Sequence, residues 1–223
     1  MKYSIIILAL FTSFLLLGCE YDNVDEPKSE LSGKIIYNGE AIGVRSGGTQ
    51  LELWQYGYPL RSKVSIYINW DGTYSAKVFD GEYKIVRLKG APWETPTDTI
   101  SVTVKGKTVQ DIQVTPFFIA SGINIQKETN NIVARFTVQK VSTTANLESV
   151  TLYLYKSIIT DQNYKDAEAT KAASAVTLGQ EISLTAAIPA SLSTADYLYA
   201  RIAVKTSGVA ERYYSAPQKI QLK

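Results

Sequence analysis

"WDGTYSAKVFDGEYKI", residues 70–85, holds two Asp-Gly pairs nine positions apart. Aspartate and glycine reach tight-turn conformations at little cost, so Asp71-Gly72 and Asp80-Gly81 read as turns. Tyr74 to Phe79 and Tyr83 to Leu88 are short runs rich in aromatic and β-branched residues, and they read as a hairpin about Asp80-Gly81. The same pattern extends outward in both directions. Upstream, Ser32 to Tyr37 runs into Asn38-Gly39, Leu51 to Tyr56 alternates on Leu51 and Leu53, and Val64 to Ile68 alternates strictly. Downstream, Ile100 to Val104 alternates, Lys105-Gly106-Lys107 turns, and Val109 to Thr115 completes the set. Short β-rich runs separated by turns at intervals of about 8–12 residues predict a sandwich rather than helices.

The second half reads as β as well. Ile132 to Val141 and Val150 to Tyr155 alternate, and Glu181 to Leu184 is a further strand candidate. Near the C-terminus, alternation places Leu198, Ala200, Ile202 and Val204 on one face and Tyr199 on the other. Asp161 to Ala175 has helix-forming composition but a weak apolar stripe, which predicts a short helix or loop outside the core. The expected fold class is therefore all-β, with two consecutive β-sandwich domains at residues 31–117 and 118–223.

The N-terminus carries an address. Lys2 precedes an apolar stretch from Ile5 to Leu17, too short for a spanning helix but of the length of a secretory signal. It ends in Leu16-Leu17-Gly18-Cys19, and Cys19 is the only cysteine. This ending resembles the lipobox of bacterial lipoproteins. The resemblance implies a signal peptide at residues 1–18, diacylglyceryl transfer to the Cys19 sulfur, and cleavage after small Gly18. Residues 19–30 then form the lipidated cysteine and a flexible tether. The acidic stretch from Glu20 to Glu30 is similar to the signal that sends Bacteroidota lipoproteins to the outer face of the outer membrane. A lipidated Cys19 leaves no thiol for disulfides or catalysis. With 23 basic against 21 acidic residues and no basic block, nucleic acid is not an expected partner.

"SGKIIYNGEAIG", "WDGTYSAKVFDGEYKI" and "ISVTVKGKTVQDIQV" together resemble the carboxypeptidase-regulatory or transthyretin-like β-sandwich. That family orders a Gly-x-Ile strand, an Asp-Gly-x-Tyr strand, a Gly-x-Tyr strand and a Gly-Lys-Thr turn; the segment from Val44 to Arg61 is longer than its usual connection. The tail "YLYARIAVKTSGVAERYYSAPQKIQL" resembles the last strands of an immunoglobulin-like or fibronectin type III sandwich. The combination of lipobox and two such domains is similar to the family known as domain of unknown function 3823. Its members are lipoproteins that accompany outer-membrane glycan-uptake systems, and the family has no established catalytic residues. The resemblance implies a membrane-anchored, non-enzymatic accessory protein facing outward, with a glycan and an outer-membrane transporter as partners. The alternative is a structural or adhesive module that docks to an outer-membrane partner without binding glycan.

Catalysis is constrained by composition. The chain has no histidine, which removes Ser-His-Asp and Cys-His arrangements and the commonest metal ligand. The carboxylates Asp71, Asp80 and Glu82 lie beside Gly turns that explain them structurally. No EF-hand spacing supports calcium, so no enzyme activity, metal or other cofactor is expected. The aromatics point elsewhere. In "LWQYGYPL", Trp54, Tyr56 and Tyr58 alternate, so an extended strand presents all three on one face. Trp70 and Trp93 follow at nearby turns. Sugar rings stack their C–H faces on such aromatics, with Gln55 and Glu94 available to hydroxyls. Tyrosines are also ordinary strand residues, and Trp93 also reads as a cap folded over the end of the sandwich.

Overall fold

A computed structural model describes residues 25–57 and 62–223; the expected signal peptide, Cys19 and Tyr58 lie outside the described residues. The first half consists of β1 (Ser29–Tyr37), β2 (Glu40–Ala41), β3 (Gln50–Gln55), β4 (Lys63–Tyr67), β5 (Thr73–Val78), β6 (Gly81–Arg87), β7 (Ile100–Val104), β8 (Lys107–Val109) and β9 (Ile112–Gln113). The second consists of β10 (Phe118–Glu128), β11 (Asn131–Lys140), β12 (Leu147–Tyr155), β13 (Ala167–Ala172), β14 (Glu181–Ala187), β15 (Tyr197–Thr206), β16 (Tyr213–Tyr214) and β17 (Gln218–Gln221). Each half is a sandwich of two sheets.

In the first sandwich, β1 pairs antiparallel with β5 and β2, and parallel with β8 and β9. The facing sheet is antiparallel, in the order β4-β3-β6-β7. Alternation sends Leu31 and Ile35, Leu51 and Leu53, Tyr74 and Val78, and Tyr83 and Ile85 into one core. In the second sandwich, β10-β11-β14 faces β13-β12-β15-β16, with β17 also paired to β15. Leu198, Ala200, Ile202 and Val204 are all buried in its core, on the face that alternation assigned to them.

Three expectations change. The runs around Asp80-Gly81 do not form a hairpin: β5 pairs with β1 and β6 pairs with β3 and β7, so the turn carries the chain from one sheet to the other. The Asp80 carboxylate accepts from the Ser29 hydroxyl and from the Gly106 amide, which ties this crossing to the start of β1 and to the β7–β8 turn. Second, Ser29 and Glu30, expected in the tether, are the first residues of β1 and pair with Val78 and Lys77. Third, the segment with helical composition contains an edge strand, β13, paired with β12; only a short 3-10 turn at Ala173–Ala175 is helical. Half-buried Ala167 and Ala169 alternate with exposed Glu168 and Thr170, which fits an edge that packs on one side only.

The two sandwiches meet in a junction of polar contacts, with Tyr213 packed against both hydrophobic cores. Tyr214 donates its amide to the Gly43 carbonyl at 3.0 Å, and Glu211 donates to that of Gly90 at 2.8 Å. Arg45 forms a two-pronged ion pair with Glu211, Nε to Oε2 at 3.0 Å and Nη2 to Oε1 at 2.5 Å. Arg201, with no exposed surface, reaches from β15 to the Trp70 carbonyl at 2.6 Å.

Candidate functional site

The β4-β3-β6-β7 sheet turns its inner face to the core and its outer face to solvent. Because Leu51 and Leu53 point inward, Glu52 and Trp54 point outward, and Tyr56 follows in phase. On β6, buried Tyr83 and Ile85 likewise leave Glu82, Lys84 and Val86 outside. On β7, buried Val102 and Val104 leave Ser101 and Thr103 outside. Register then sets cross-strand rows. Trp54 lies opposite Lys84, which lies opposite Ser101. Tyr56 donates its amide to the Glu82 carbonyl at 3.3 Å, and Glu82 lies opposite Thr103. Glu52 lies opposite Val86, which lines a cleft together with Thr99.

Polar groups position the aromatics. The Trp54 indole N–H donates to Glu52 Oε2 at 3.1 Å, while Lys63 on β4 ion-pairs with the other oxygen. Hydrogen bonding from Lys63, with the indole N–H adding to it, holds the Glu52 carboxyl below the usual carboxylate range against the opposing effect of desolvation. The Lys84 ammonium sits 5.0 Å from the centroid of the Tyr56 ring, within cation–π range. Trp54 is half-buried and Tyr56 is 49% exposed. Two adjoining clefts share Tyr56 and Lys84. One, of about 290 Å³, is bounded by Trp54, Val86 and Thr99; the other, of about 360 Å³, by Glu82, Ser101 and Thr103.

The remaining expected site residues go elsewhere. Trp93 is corrected outright: at 1% exposure it is buried in the first core and bridges to Pro116, so it presents no face to a ligand. Trp70 is a junction residue rather than part of the aromatic face. It lies beyond β4, at the Gln50 end of β3, while Trp54 lies at the opposite end opposite Lys63. Its ring is 5.9 Å from the buried Arg201 guanidinium. Tyr58 lies outside the described residues. Asp71 and Asp80 are at opposite ends of β5, and Asp71 is engaged by the Thr73 amide at 3.0 Å. They form no carboxylate pair with each other.

Sequence reasoning passed over Lys84, Ser101 and Thr103. They lie on the polar phase of strands it did identify, but their neighbourhood with Trp54 and Tyr56 depends on β6 being inserted between β3 and β7. The exposed Tyr67 on β4 shares this outer face through its pairing with Gln50 of β3.

Comparisons extend this picture. A crystal structure of a DUF3823 family protein from Bacteroides ovatus is 47% identical, with a TM-score of 0.84, over 88% of this chain and 100% of that one. One from Parabacteroides merdae is 30% identical with a TM-score of 0.82 over the same shares. A third, from Bacteroides uniformis, is described as a "putative carbohydrate binding protein"; it is 20% identical, with a TM-score of 0.74 and the same coverage. No curated protein matches the chain by sequence. The model of the DUF3823 N-terminal domain, a protein of unknown function, matches residues 29–115, and that of its C-terminal domain, a domain of unknown function, matches residues 119–219. With both sandwiches matched in order and relatives aligned along their full length, the chain belongs to the DUF3823 family.

Proposed function

We propose that this chain is a non-enzymatic lipoprotein, anchored in the outer membrane through Cys19 and facing outward, that binds glycan on the outer face of the β4-β3-β6-β7 sheet as an accessory component of glycan acquisition. The observation that carries the reading is the Trp54–Tyr56 pair, two aromatic side chains in phase on a solvent-facing strand and held by Glu52 and Lys84. Rings fixed in this way offer flat apolar surface to sugar C–H faces without a large loss of side-chain entropy on binding. The carboxylate, ammonium and hydroxyl groups beside them supply partners for sugar hydroxyls. The description of the Bacteroides uniformis relative as carbohydrate binding runs the same way.

A glycan array followed by calorimetry on the chain beginning at Glu20 tests the reading, since both sandwiches lie beyond that residue. Binding that weakens roughly tenfold or more in Trp54→Ala, with circular dichroism unchanged, supports it. An absence of binding across the array, with a membrane protein co-purifying instead, replaces it with the docking role. The address is tested separately. Cys19→Ser is expected to leave the protein unprocessed and unlipidated, and protease added to intact cells is expected to degrade the wild type.

A further inference from the structure

The outer face is stepped rather than flat. On the β3 side stand the large rings of Trp54 and Tyr56; on the β7 side are only the short hydroxyl side chains of Ser101 and Thr103. Between them the β6 residues Glu82, Lys84 and Val86 form a floor, and the two clefts follow one another along it, meeting at Lys84 and Tyr56. The floor therefore runs parallel to the strands. From Val86 to Glu82 it is four residue steps long, about 13 Å at the rise of a strand, enough for roughly two or three sugar units end to end. Trp54 and Tyr56 are two residues apart, so their rings repeat along the groove at about 7 Å, on the scale of one sugar unit in an extended chain.

Charge restricts the occupant further. Glu52 is ion-paired with Lys63, and the floor sets one carboxylate, Glu82, two residues from one ammonium, Lys84, which lies toward the Tyr56 ring. The groove carries no excess of either sign. An acidic polysaccharide would find no cationic row to pair with, whereas neutral hydroxyls meet donors and acceptors on both sides.

Building on the glycan-binding reading above, we infer that this face takes an internal stretch of an unbranched, electrically neutral glycan, laid along β6 with successive sugars against Trp54 and Tyr56 and their hydroxyls toward Ser101 and Thr103.

Calorimetry on the chain beginning at Glu20 tests this with malto-, cello-, xylo- and manno-oligosaccharides graded from monosaccharide to hexasaccharide, and with oligogalacturonates as the acidic counterpart. In at least one neutral series, affinity is expected to rise roughly tenfold from monosaccharide to trisaccharide, then level off, with no loss at high salt. Ser101→Arg, at an exposed position pointing away from the core, is expected to bring trisaccharide affinity down to that of the monosaccharide without changing the melting temperature. A monosaccharide that binds as tightly as the trisaccharide overturns the extended groove while leaving glycan binding in place. So does a salt-sensitive preference for oligogalacturonate, or unchanged trisaccharide affinity in Ser101→Arg. Binding in none of the series overturns this inference, and the glycan reading falls with it only where the glycan array is silent as well.

Discussion

At the scale of single residues, Arg201 exerts the widest hold on the structure. It is fully buried on β15 and donates Nε to the Ser215 carbonyl at 2.7 Å, Nη1 to that of Thr160 at 3.3 Å and Nη2 to that of Trp70 at 2.6 Å. Its guanidinium lies 4.7 Å from the Tyr214 ring. Desolvation pulls its pKa down to about 10, which still leaves it cationic at neutral pH. One planar fork thus satisfies three carbonyls from three separate segments. Arg201→Ala leaves those acceptors without their shared donor inside the protein, and is expected to cost about 3–5 kcal/mol in urea unfolding. Arg201→Lys recovers little of this, because a single ammonium cannot reach three carbonyls in the plane of a guanidinium; wild-type stability in the Lys variant would contradict the assignment. The sequence shows only part of this. In "YLYARIAVK" alternation places Arg201 opposite the face of Leu198 and Ile202, but what covers that side comes from Thr160 and Trp70, 41 and 131 residues away. Trp93 offered two readings in sequence, a ligand-facing ring and a cap, and its packing in the first core, near the bridge to Pro116, decides for burial. Trp54 needed no such distant partner: the buried Leu51 and Leu53 of its own strand fix its face.

Among the elements, β1 organises the first sandwich, and Gly33 is where its packing is tightest. A Cβ at Gly33 would lie 2.0 Å from the Gln110 carbonyl oxygen and 3.0 Å from the Tyr74 hydroxyl. That hydroxyl itself donates to the Gln110 carbonyl, so the segment between β8 and β9 is clamped against β1 with no room to yield. Gly33→Ala is expected to cost about 2 kcal/mol or more in chemical denaturation. Gly39→Ala offers the contrast: it has open space around it but a φ of +83°, and is expected to cost only about 1 kcal/mol. Equal losses in the two variants would mean that contact at Gly33 is not what matters. Elements were legible where local pattern and tertiary role agree. Asn38-Gly39 was read as a turn and closes the β1–β2 hairpin, with both residues at positive φ. Asp80-Gly81 carries the same signal, yet it joins two sheets, because a turn dipeptide specifies a change of direction and not which strands pair afterwards. The Ala, Thr, Glu and Lys residues of β13 carry little β signal and predict a short helix or loop; pairing with β12 overrides their propensity.

Taken as a whole, the molecule is two cores joined by directed polar contacts and by Tyr213, which packs against both, and its alkaline stability and its cooperativity follow from that construction. Burial raises the pKa of Tyr74 and Tyr214 well above the ordinary tyrosine value of 10.0, and raises those of Tyr153 and Tyr213 as well. The folded chain keeps phenolic protons that the unfolded chain gives up. Stability is therefore complete below about pH 10 and falls as pH rises beyond it, with a melting temperature that declines over the same range. Tyr214 belongs to the junction too, and there the second consequence arises. Domain contacts within one chain ordinarily permit relative motion unless the interface is extensive. Here the paired Gly43 and Tyr214 backbones, the Arg45–Glu211 ion pair and the reach of Arg201 to Trp70 join the cores at several points. Such coupling is expected to give a single calorimetric transition, since opening the junction exposes Arg201 and removes partners from both halves. Gly43 is the place to break it. A Cβ there would lie 2.5 Å from the Tyr214 carbonyl, 2.7 Å from Arg201 Nη2 and 3.3 Å from the Trp70 carbonyl, so one side chain disturbs both the Gly43–Tyr214 pairing and the reach of Arg201 to Trp70. Gly43→Val is expected to split the calorimetric profile into two transitions, one for each sandwich, with far-ultraviolet circular dichroism at room temperature unchanged. A single transition at the wild-type temperature in that variant, or two transitions in the wild type, would show that the sandwiches share a chain but not a folding unit held together at Gly43.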